Sequence, residues 1–464
     1  MIYLTNKTEL PAPSVVISLI PIFVVCIALF LSVFIYETKV HIPLFLGAIT
    51  AGIIGYIHGF SWKFIQSGYI SSISRAIPSL LILLIIGMLI SVWVASGIVP
   101  AIIYYGFDIL VPSIYLPSIF IVCCFMSVIT GSSWTTIGTF GVAAIGISQG
   151  LQIPPPAAAG AIVSGAFFGD KLSPMSDSTN LTPSVLGVNL YSHIKHMLYT
   201  TGPSFIISLI MYVILGLFLV EGSSDTAFIS KYQKEIIKHF TFSGWLFLPP
   251  VIVIILIAFK IPAIPSLVTG VLLGGVMQLF IQDKSMGDFF NILYNGVHLS
   301  TGLEEVDKLL SRGGMSSMYS VVALAILSLA FGGIMNRCKM LESIVKKMTV
   351  LVDSRGHLII TTLLTSIFIN IFSANQYLAV IIPGQMYESS YKKLKLSLKN
   401  LTRALESGGT LTAPLIPWNS SGAFIYSVTS IYPFAFAPYA FICWLTPIIT
   451  GIFGYINITM EKED

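Results

Sequence analysis

The chain has 464 residues, of which 55% are hydrophobic and only 9% charged, and its formal net charge is +4. Soluble domains carry about 25% charged residues, so this composition excludes a soluble enzyme, a disordered chain and a nucleic-acid binder, and the small, scattered charge implies no acidic partner. What remains is an all-α polytopic membrane protein, with a mean hydropathy of +0.89, whose partner is the lipid bilayer.

In chain order, residues 14–36 form the first long apolar run. It is too long for the apolar part of a signal peptide and no A-x-A-like site follows it, so it is predicted to be a span. A bilayer core takes about 20 apolar residues per helix. Further spans are predicted at 42–58, 77–99, 113–130, 201–220, 243–260, 262–281, 318–336, 356–374 and 434–457. Between them, 131–150, 157–183, 375–388 and 408–431 are apolar but too rich in polar residues and glycine for plain spans. Broken stretches at membrane depth survive only where protein buries them or a cavity needs them, so function is expected there.

The chain reads as doubled. Ile42-Pro43, followed by Gly47 and Ala51-Gly52, resembles Ile264-Pro265, followed by Thr269 and Gly274-Gly275, at an offset of 265 − 43 = 222. Ile20-Pro21 resembles Leu248-Pro249, and Pro174 pairs with Pro414 at an offset of 414 − 174 = 240. The difference fits an insertion around Thr301–Ser317, which carries Glu304, Glu305, Asp307, Lys308 and Arg312. The expected division is a first transmembrane repeat at 1–220, a connecting loop at 221–242, a second repeat at 243–457 and a polar tail at 458–464. The densest cationic stretch, Lys392, Lys393, Lys395, Lys399 and Arg403, places its loop in the cytoplasm. Cys26, Cys123, Cys124, Cys338 and Cys443 form no C-x-x-C pair and read as small buried hydrophobes. The chain has no phosphate-cradling G-x-x-x-x-G-K-[ST] and no H-E-x-x-H. It is read as no enzyme, as holding no cofactor, and as working on ion gradients.

The polar cluster of the first half is Gly169 to Asn180, with Asp170, Lys171, Pro174, Ser176, Asp177, Ser178, Thr179 and Asn180. A carboxylate inside a bilayer is a functional hypothesis by default. Pro174 breaks the helix and frees carbonyls, and the side chains offer the hard oxygen ligands that a small cation needs. The alternative is an ordinary loop with Asp170 paired to Lys171 at the surface. Upstream, Thr130 to Gly138 contributes Ser132, Ser133 and Thr135, which serve either helix-tip ligation or a packing seam. In the second half, Asn370 to Gln376, with Asn375, corresponds to that cluster, and Glu406 to Gly422, with Asn419 and Ser420, corresponds to Asp170–Asn180. His193 and His196, beside Lys195, read as an interface helix, Glu304 and Glu305 as a solvated face, and Asp108 as interface or pocket.

These stretches carry a resemblance. TGSSWTTIGTFGVAAIGI (130–147), GAIVSGAFFGDKLSPMSDSTNL (160–181), SHIKHMLYTT (192–201), TGLEEVDKLLSRGGMSSM (301–318) and ESGGTLTAPLIPWNSSGAF (406–424) are similar to the NhaC-type sodium/proton antiporter family over nearly the whole chain. The resemblance implies two inverted repeats with re-entrant hairpins and interrupted helices, elevator-type alternating access and a homodimer. It implies sodium and protons as transported partners, with malate/lactate exchange as the alternative. On this reading Asp177 is the carboxylate that sodium and protons share, because a desolvated carboxyl can hold either. Ser176, Ser178, Thr179 and Asn180 add oxygens, and Asp170 is the second acid. Glu406, Asn419 and Ser420 contribute from the other repeat, and Ser132, Ser133, Thr135 and Asn375 from the hairpin tips. Asp177, Asn180 and Asn419 are the expected sodium ligands. Lys171 is the cation an organic acid would need. An intramembrane aspartyl protease using Asp170 and Asp177 is the outlying alternative, and it leaves the second-half motif unexplained.

Overall fold

The computed structural model of the protein describes residues 10–36, 38–109, 111–219, 226–259, 261–303, 306–307, 310–349 and 354–462. Glu304, Glu305 and Lys308 of the inserted stretch, and positions 221–225 of the connecting loop, lie outside the described residues. The first half runs α1 (Val15–Phe30), α2 (His41–Ile57), α3 (Trp62–Ala95), α4 (Ile98–Ile109), α5 (Pro112–Thr130), α6 (Ser133–Gly150), α7 (Pro155–Leu172), α8 (Asp177–Val185) and α9 (Leu190–Leu219). The connecting segment holds α10 (Thr226–His239). The second half runs α11 (Leu248–Ala258), α12 (Ala263–Phe280), α13 (Met286–Asn295), α14 (Tyr319–Arg337), α15 (Met340–Thr349), α16 (Arg355–Ser373), α17 (Gln376–Lys393), α18 (Leu398–Leu405), α19 (Ser420–Thr429), α20 (Pro433–Phe436) and α21 (Phe441–Tyr455).

Among the described residues six helices are long and apolar enough to cross a bilayer, and two bent pairs raise this to eight. Large apolar side chains such as Phe23, Phe218 and Phe280 point outward, as lipid requires of a multi-pass membrane protein. Two helices outrun the apolar runs that marked them. α3 starts at Trp62 rather than near 77, and α9 starts at Leu190 rather than near 201. Their extra turns are more polar, and part of each is buried against protein, as at Ile65, Gly68 and Ser72 of α3 and His193, His196 and Met197 of α9. His193 and His196, expected at an interface, are buried, and they bond Thr402 (2.9 Å) and Asn400 (3.2 Å) on α18. Asp108 is exposed and accepts from Gln233 of α10, 3.1 Å away.

Local backbone geometry recurs between the two halves. α5 ends at Gly131 (φ 64°, ψ 22°) and α16 at Ala374 (φ 52°, ψ 25°), both left-handed. The following caps, Ser132 (φ −151°, ψ 115°) and Asn375 (φ −142°, ψ 116°), match as well. The offset, 375 − 132 = 243, recurs between Gln152 (φ 57°) and Lys395 (φ 52°) and between Gly187 (φ 66°) and Ser430 (φ 61°). Side-chain bonds repeat with it. Ser127 Oγ donates to the Ala166 carbonyl (2.5 Å), and Asn370 Nδ2 donates to the Gly409 carbonyl (2.6 Å). This register moves the partner of Pro174 from Pro414 to Pro417. Leu172-Ser173-Pro174-Met175-Ser176 therefore lies on Leu415-Ile416-Pro417-Trp418-Asn419, and Asp170 on Ala413 rather than Glu406.

Earlier in each half the offset is smaller. The caps Ser61 of α3 and Ser285 of α13 differ by 285 − 61 = 224. The difference, 243 − 224 = 19, is the length of segment 296–314, so the insertion starts a few residues before Thr301. It divides what is one helix in α3 into α13 and α14. The inserted segment is tied back to α3 by the Gly314 N–H on the Gly87 carbonyl (2.7 Å). Asp307 pins it by accepting the Thr301 N–H and hydroxyl at 2.7 Å each, and these bonds hold its carboxyl below the usual range.

Glycine sets how closely the paired helices approach. A Cβ on Gly165 of α7 would meet the Phe120 carbonyl of α5 and lie 2.7 Å from Cys123 Cβ. At the equivalent Gly408 it would lie 2.9 Å from the Leu363 carbonyl of α16. Gly165→Ala and Gly408→Ala should each destabilise the protein by about 1–3 kcal/mol through overpacking. Thermal unfolding in detergent should show a lower midpoint for both. An unchanged midpoint would mean that the helices have room to part.

Candidate functional site

Each half builds the same local device from two parts. The first is a helical hairpin. Gly131 takes the left-handed conformation that ends a helix without a Cβ penalty, and Ser132 Oγ then caps α6 by accepting from the Thr135 N–H (3.1 Å). In the second half Asn375 Oδ1 caps α17 by accepting from the Tyr377 (2.8 Å) and Leu378 (3.2 Å) N–H groups. The second part is an interrupted helix. α7 stops at Leu172, the chain leaves it through extended Ser173, turns at Pro174-Met175, and α8 restarts at Asp177 under the Ser176 cap. Its counterpart passes from α18 through a π-helical turn (Glu406–Thr410) and a short 3-10 turn (Ala413–Leu415) before α19 restarts at Ser420 under Asn419.

These parts meet around one cavity of about 570 Å³. The tips of both hairpins, the break before α8 and the start of α19 line one side of it. Mostly apolar residues of α3, α14 and the α11–α12 junction complete the lining. Four helix N-termini (α6, α8, α17 and α19) therefore face a single space. Each carries roughly half a positive charge from its unpaired N–H groups. Into this field the chain places two acids. Asp170, 8% exposed, accepts the Ser133 N–H (3.1 Å) and hydroxyl (2.6 Å) at the start of α6. Asp177 is the first residue of α8 and stands open to the cavity. Burial alone disfavours carboxylate charge, and the helix ends and the Ser133 donors work the other way. A site so balanced can exchange one cation for another.

The cavity brings together Asp170, Asp177, Ser132, Ser133, Thr135, Ser176, Ser178, Asn180, Asn375 and Ser420. Three expected residues stand apart from it. Thr179 is buried and donates to the Asp170 (3.0 Å) and Lys171 (3.1 Å) carbonyls, bracing the break. Asn419 spends its oxygen on the Ser421 N–H (3.0 Å) and its amide on Asn370 Oδ1 (2.7 Å). Glu406 is buried behind α8, where it meets the Thr182 hydroxyl. The trio Asp177, Asn180 and Asn419 is thus not gathered at one point. Asn180 shares the cavity with Asp177, but its amide is held by the Pro174 and Ser176 carbonyls at 2.8 Å each. Lys171 does not pair with Asp170 at a surface. It is fully buried, and its Nζ donates to Ser407 Oγ, 3.2 Å away and outside the cavity lining.

Gln376 and Tyr377, just past the second tip, also line the cavity, and the Gln376 Oε1 atom is buried with no hydrogen-bond partner. The Asn375-Gln376 pair stood in the sequence, but nothing there aimed Gln376 at the acids. The two halves are pinned across the site by the Trp134 ring of the first tip, stacked on Phe424 of α19 with centroids 4.6 Å apart and planes at 7°.

Residues 165–458 match the Na+/H+ antiporter family. A Na(+)/H(+) antiporter NhaC of Alkalihalophilus pseudofirmus is 39% identical, covering 93% of this chain and 93% of that protein. The malate-2H(+)/Na(+)-lactate antiporter of Bacillus subtilis is 35% identical, over 93% of this chain and 92% of its own length. The Na(+)/H(+) antiporter NhaC of the same organism is 34% identical, over 94% and 96%.

An offset aromatic pair contributes about 0.5–1.5 kcal/mol beyond its buried area. A double-mutant cycle of Trp134→Ala and Phe424→Ala, read from unfolding midpoints, should show coupling of that order. Additive effects would remove the stack as the link between the halves.

Proposed function

The chain belongs to the Na+/H+ antiporter family and is a secondary transporter of the cell membrane that exchanges sodium ions for protons, and we propose that the exchange takes place on Asp170 and Asp177. The carrying observation is the meeting of both hairpin tips and both interrupted helices at the cavity that holds these two acids. With both carboxylates ionised, the space favours a hard cation, and hydroxyls of Ser132, Ser133, Ser176 and Ser178 complete an all-oxygen surface. With a carboxyl protonated, the charge that held sodium is gone. Competition for one pair of acids exchanges the two ions although they never meet.

The two devices have the same build and their tips share one cavity. That arrangement supports inverted repeats, one hairpin entering from each side of the membrane. The largely apolar lining from α3, α14 and the α11–α12 junction is suited to movement of the tips and broken helices past a fixed partner, as alternating access needs. The cationic loop containing Lys392, Lys393 and Lys395 sets the cytoplasmic side.

A second reading rests on the cavity volume. About 570 Å³ lies within the range of about 300–1,000 Å³ used for small organic ligands. That room favours a small organic acid travelling with or against the cations, as the name of the malate–lactate relative states for that protein. Lys171 cannot serve as its anchor, because it points at Ser407. Arg75, which borders an adjoining recess together with Asp177, is the cation in position.

In proteoliposomes carrying an internal pH dye, Asp170→Asn and Asp177→Asn should each abolish sodium-driven pH change while the protein still inserts. Exchange that survives in one variant removes that residue from the shared pair. Direct competition also fixes a pH dependence. On the acid side of the carboxylate titration, the half-saturating sodium concentration should rise at least about tenfold for each unit the pH falls, tenfold being the slope for one competing proton. A half-saturating concentration independent of pH would contradict a shared site. Added malate or lactate that alters sodium flux, with the effect lost in Arg75→Ala, would favour the second reading.

A further inference from the structure

Arg75 of α3 stands where two recesses join. The inner recess continues from the cavity. Arg75 and Ser72 border it on one side, Asp177 and Leu181 of α8 and the stretch of α17 from its cap Asn375 to Ile381 on the others. The outer recess lies between α3 and α14 and ends at Arg337, the last residue of α14. The three spaces adjoin through shared lining: Asp177 and Asn375 between cavity and inner recess, Ser72 and Arg75 between inner and outer. They lead outward from Asp177 along α17, away from its tip and toward the end that carries Lys392 and Lys393. The way therefore opens on the side of the cationic loop, the cytoplasmic side.

Acids would draw a cation along such a way, but among the described residues the outer recess is lined by two arginines and no acid. Arg337 lies over the Phe64 ring, 4.2 Å from its centroid. Arg75 is exposed, and its Nε donates to the Ser71 carbonyl one turn back (3.2 Å). Among the described residues it forms no ion pair. The Arg75 guanidinium and the exposed Asp177 carboxylate thus border one recess without being bonded to each other.

The two charges belong to different bodies. α3 is packed tightly with α12 and α14. A Cβ on Gly274 of α12 would lie 2.7 Å from Val92 Cγ1, and one on Gly333 of α14 would lie 2.6 Å from the Gly68 carbonyl. Asp177 opens α8, the second part of the interrupted helix. The charge of Arg75 therefore acts on Asp177 only while the two bodies stand as they do here. In that arrangement it favours the bare carboxylate and repels a cation that approaches it.

We propose that Arg75 sets the sodium affinity of the cytoplasmic face: it stands in for the cation at Asp177 and weakens sodium binding from that side. It touches no transported ion and acts across the recess, through Asp177. Exchange then switches on only as cytoplasmic sodium rises. This rests on Asp177 belonging to the sodium site and on the tips moving past α3.

The test compares the two faces. Sodium-driven pH change is followed in inverted vesicles, where added sodium meets the cytoplasmic face, and in right-side-out vesicles, where it meets the outer face. The vesicles come from cells with no other sodium/proton exchanger, in dilute choline chloride free of organic acids. In inverted vesicles Arg75→Gln, and equally Arg75→Ala, should lower the half-saturating sodium concentration about two- to fivefold, the size of an interaction between unit charges across water. Arg75→Lys should keep the unmodified value. Choline chloride at about 1 M should shrink the difference by screening. In right-side-out vesicles the shift should be smaller. An unchanged or raised value in inverted vesicles overturns the proposal. So does a shift as large on the outer face, which would mean a change in the site itself. A fall in Arg75→Lys as well overturns it by assigning the effect to shape rather than charge. Failure of the cavity reading shows separately, as sodium–proton exchange surviving in Asp177→Asn.

Discussion

An acid held away from bulk water among helix ends is the interaction on which the rest of this architecture depends. A carboxylate at membrane depth is tolerable only with donors, a cation or a proton. Asp170 has donors, from the Ser133 N–H and hydroxyl. It also has the start of α6, and around the same space the starts of α8, α17 and α19. Those N-termini exist because helices stop beside this cavity, where Gly131, Pro174, Ala374 and Pro417 end or break them. These four breaks bring partial positive charge toward two acids.

Local geometry recurs between the halves, and the charged residues depart from that recurrence. The offset of 243 holds from one hairpin tip to the end of the interrupted helix, down to single hydrogen bonds such as Ser127 to Ala166 and Asn370 to Gly409. The charges do not follow it. Asp170 faces Ala413, Lys171 faces Pro414, Asp177 faces Ser420 and Glu406 faces Val163. The acids of the cavity lie in the first half, and the buried Glu406 in the second. The second repeat answers with neutral groups, Asn375, Gln376 and Ser420, at the shared space. A site of this kind is framed symmetrically but charged from one side.

Much of this was legible before any coordinates. Apolar runs marked the spans, and the four apolar stretches with excess glycine and hydroxyl became the hairpins and interrupted helices, because polar groups at that depth need a cavity. Ten of the thirteen expected site residues line one space for the same reason. The register of the repeat was not legible. Residues 408–422 contain two prolines, Pro414 and Pro417, and composition cannot tell which one breaks the helix, whereas the caps Ser176 and Asn419 can. Asn419 looked like a ligand because a capping amide and a binding amide are the same residue in a sequence. His193 and His196 looked interfacial because Lys195 sits between them. Their burial comes from α18, some two hundred residues away along the chain.

The central claim is that one pair of acids holds either sodium or protons. It is tested most directly without any membrane. The purified protein is placed in weakly buffered detergent solution near neutral pH, and sodium chloride is added while the released acid is titrated, with choline chloride as the ionic control. The account predicts proton release that saturates with sodium, is absent with choline, and disappears when both Asp170 and Asp177 are changed to asparagine. Saturable sodium binding with no proton released, or release unaltered in the double variant, would contradict it.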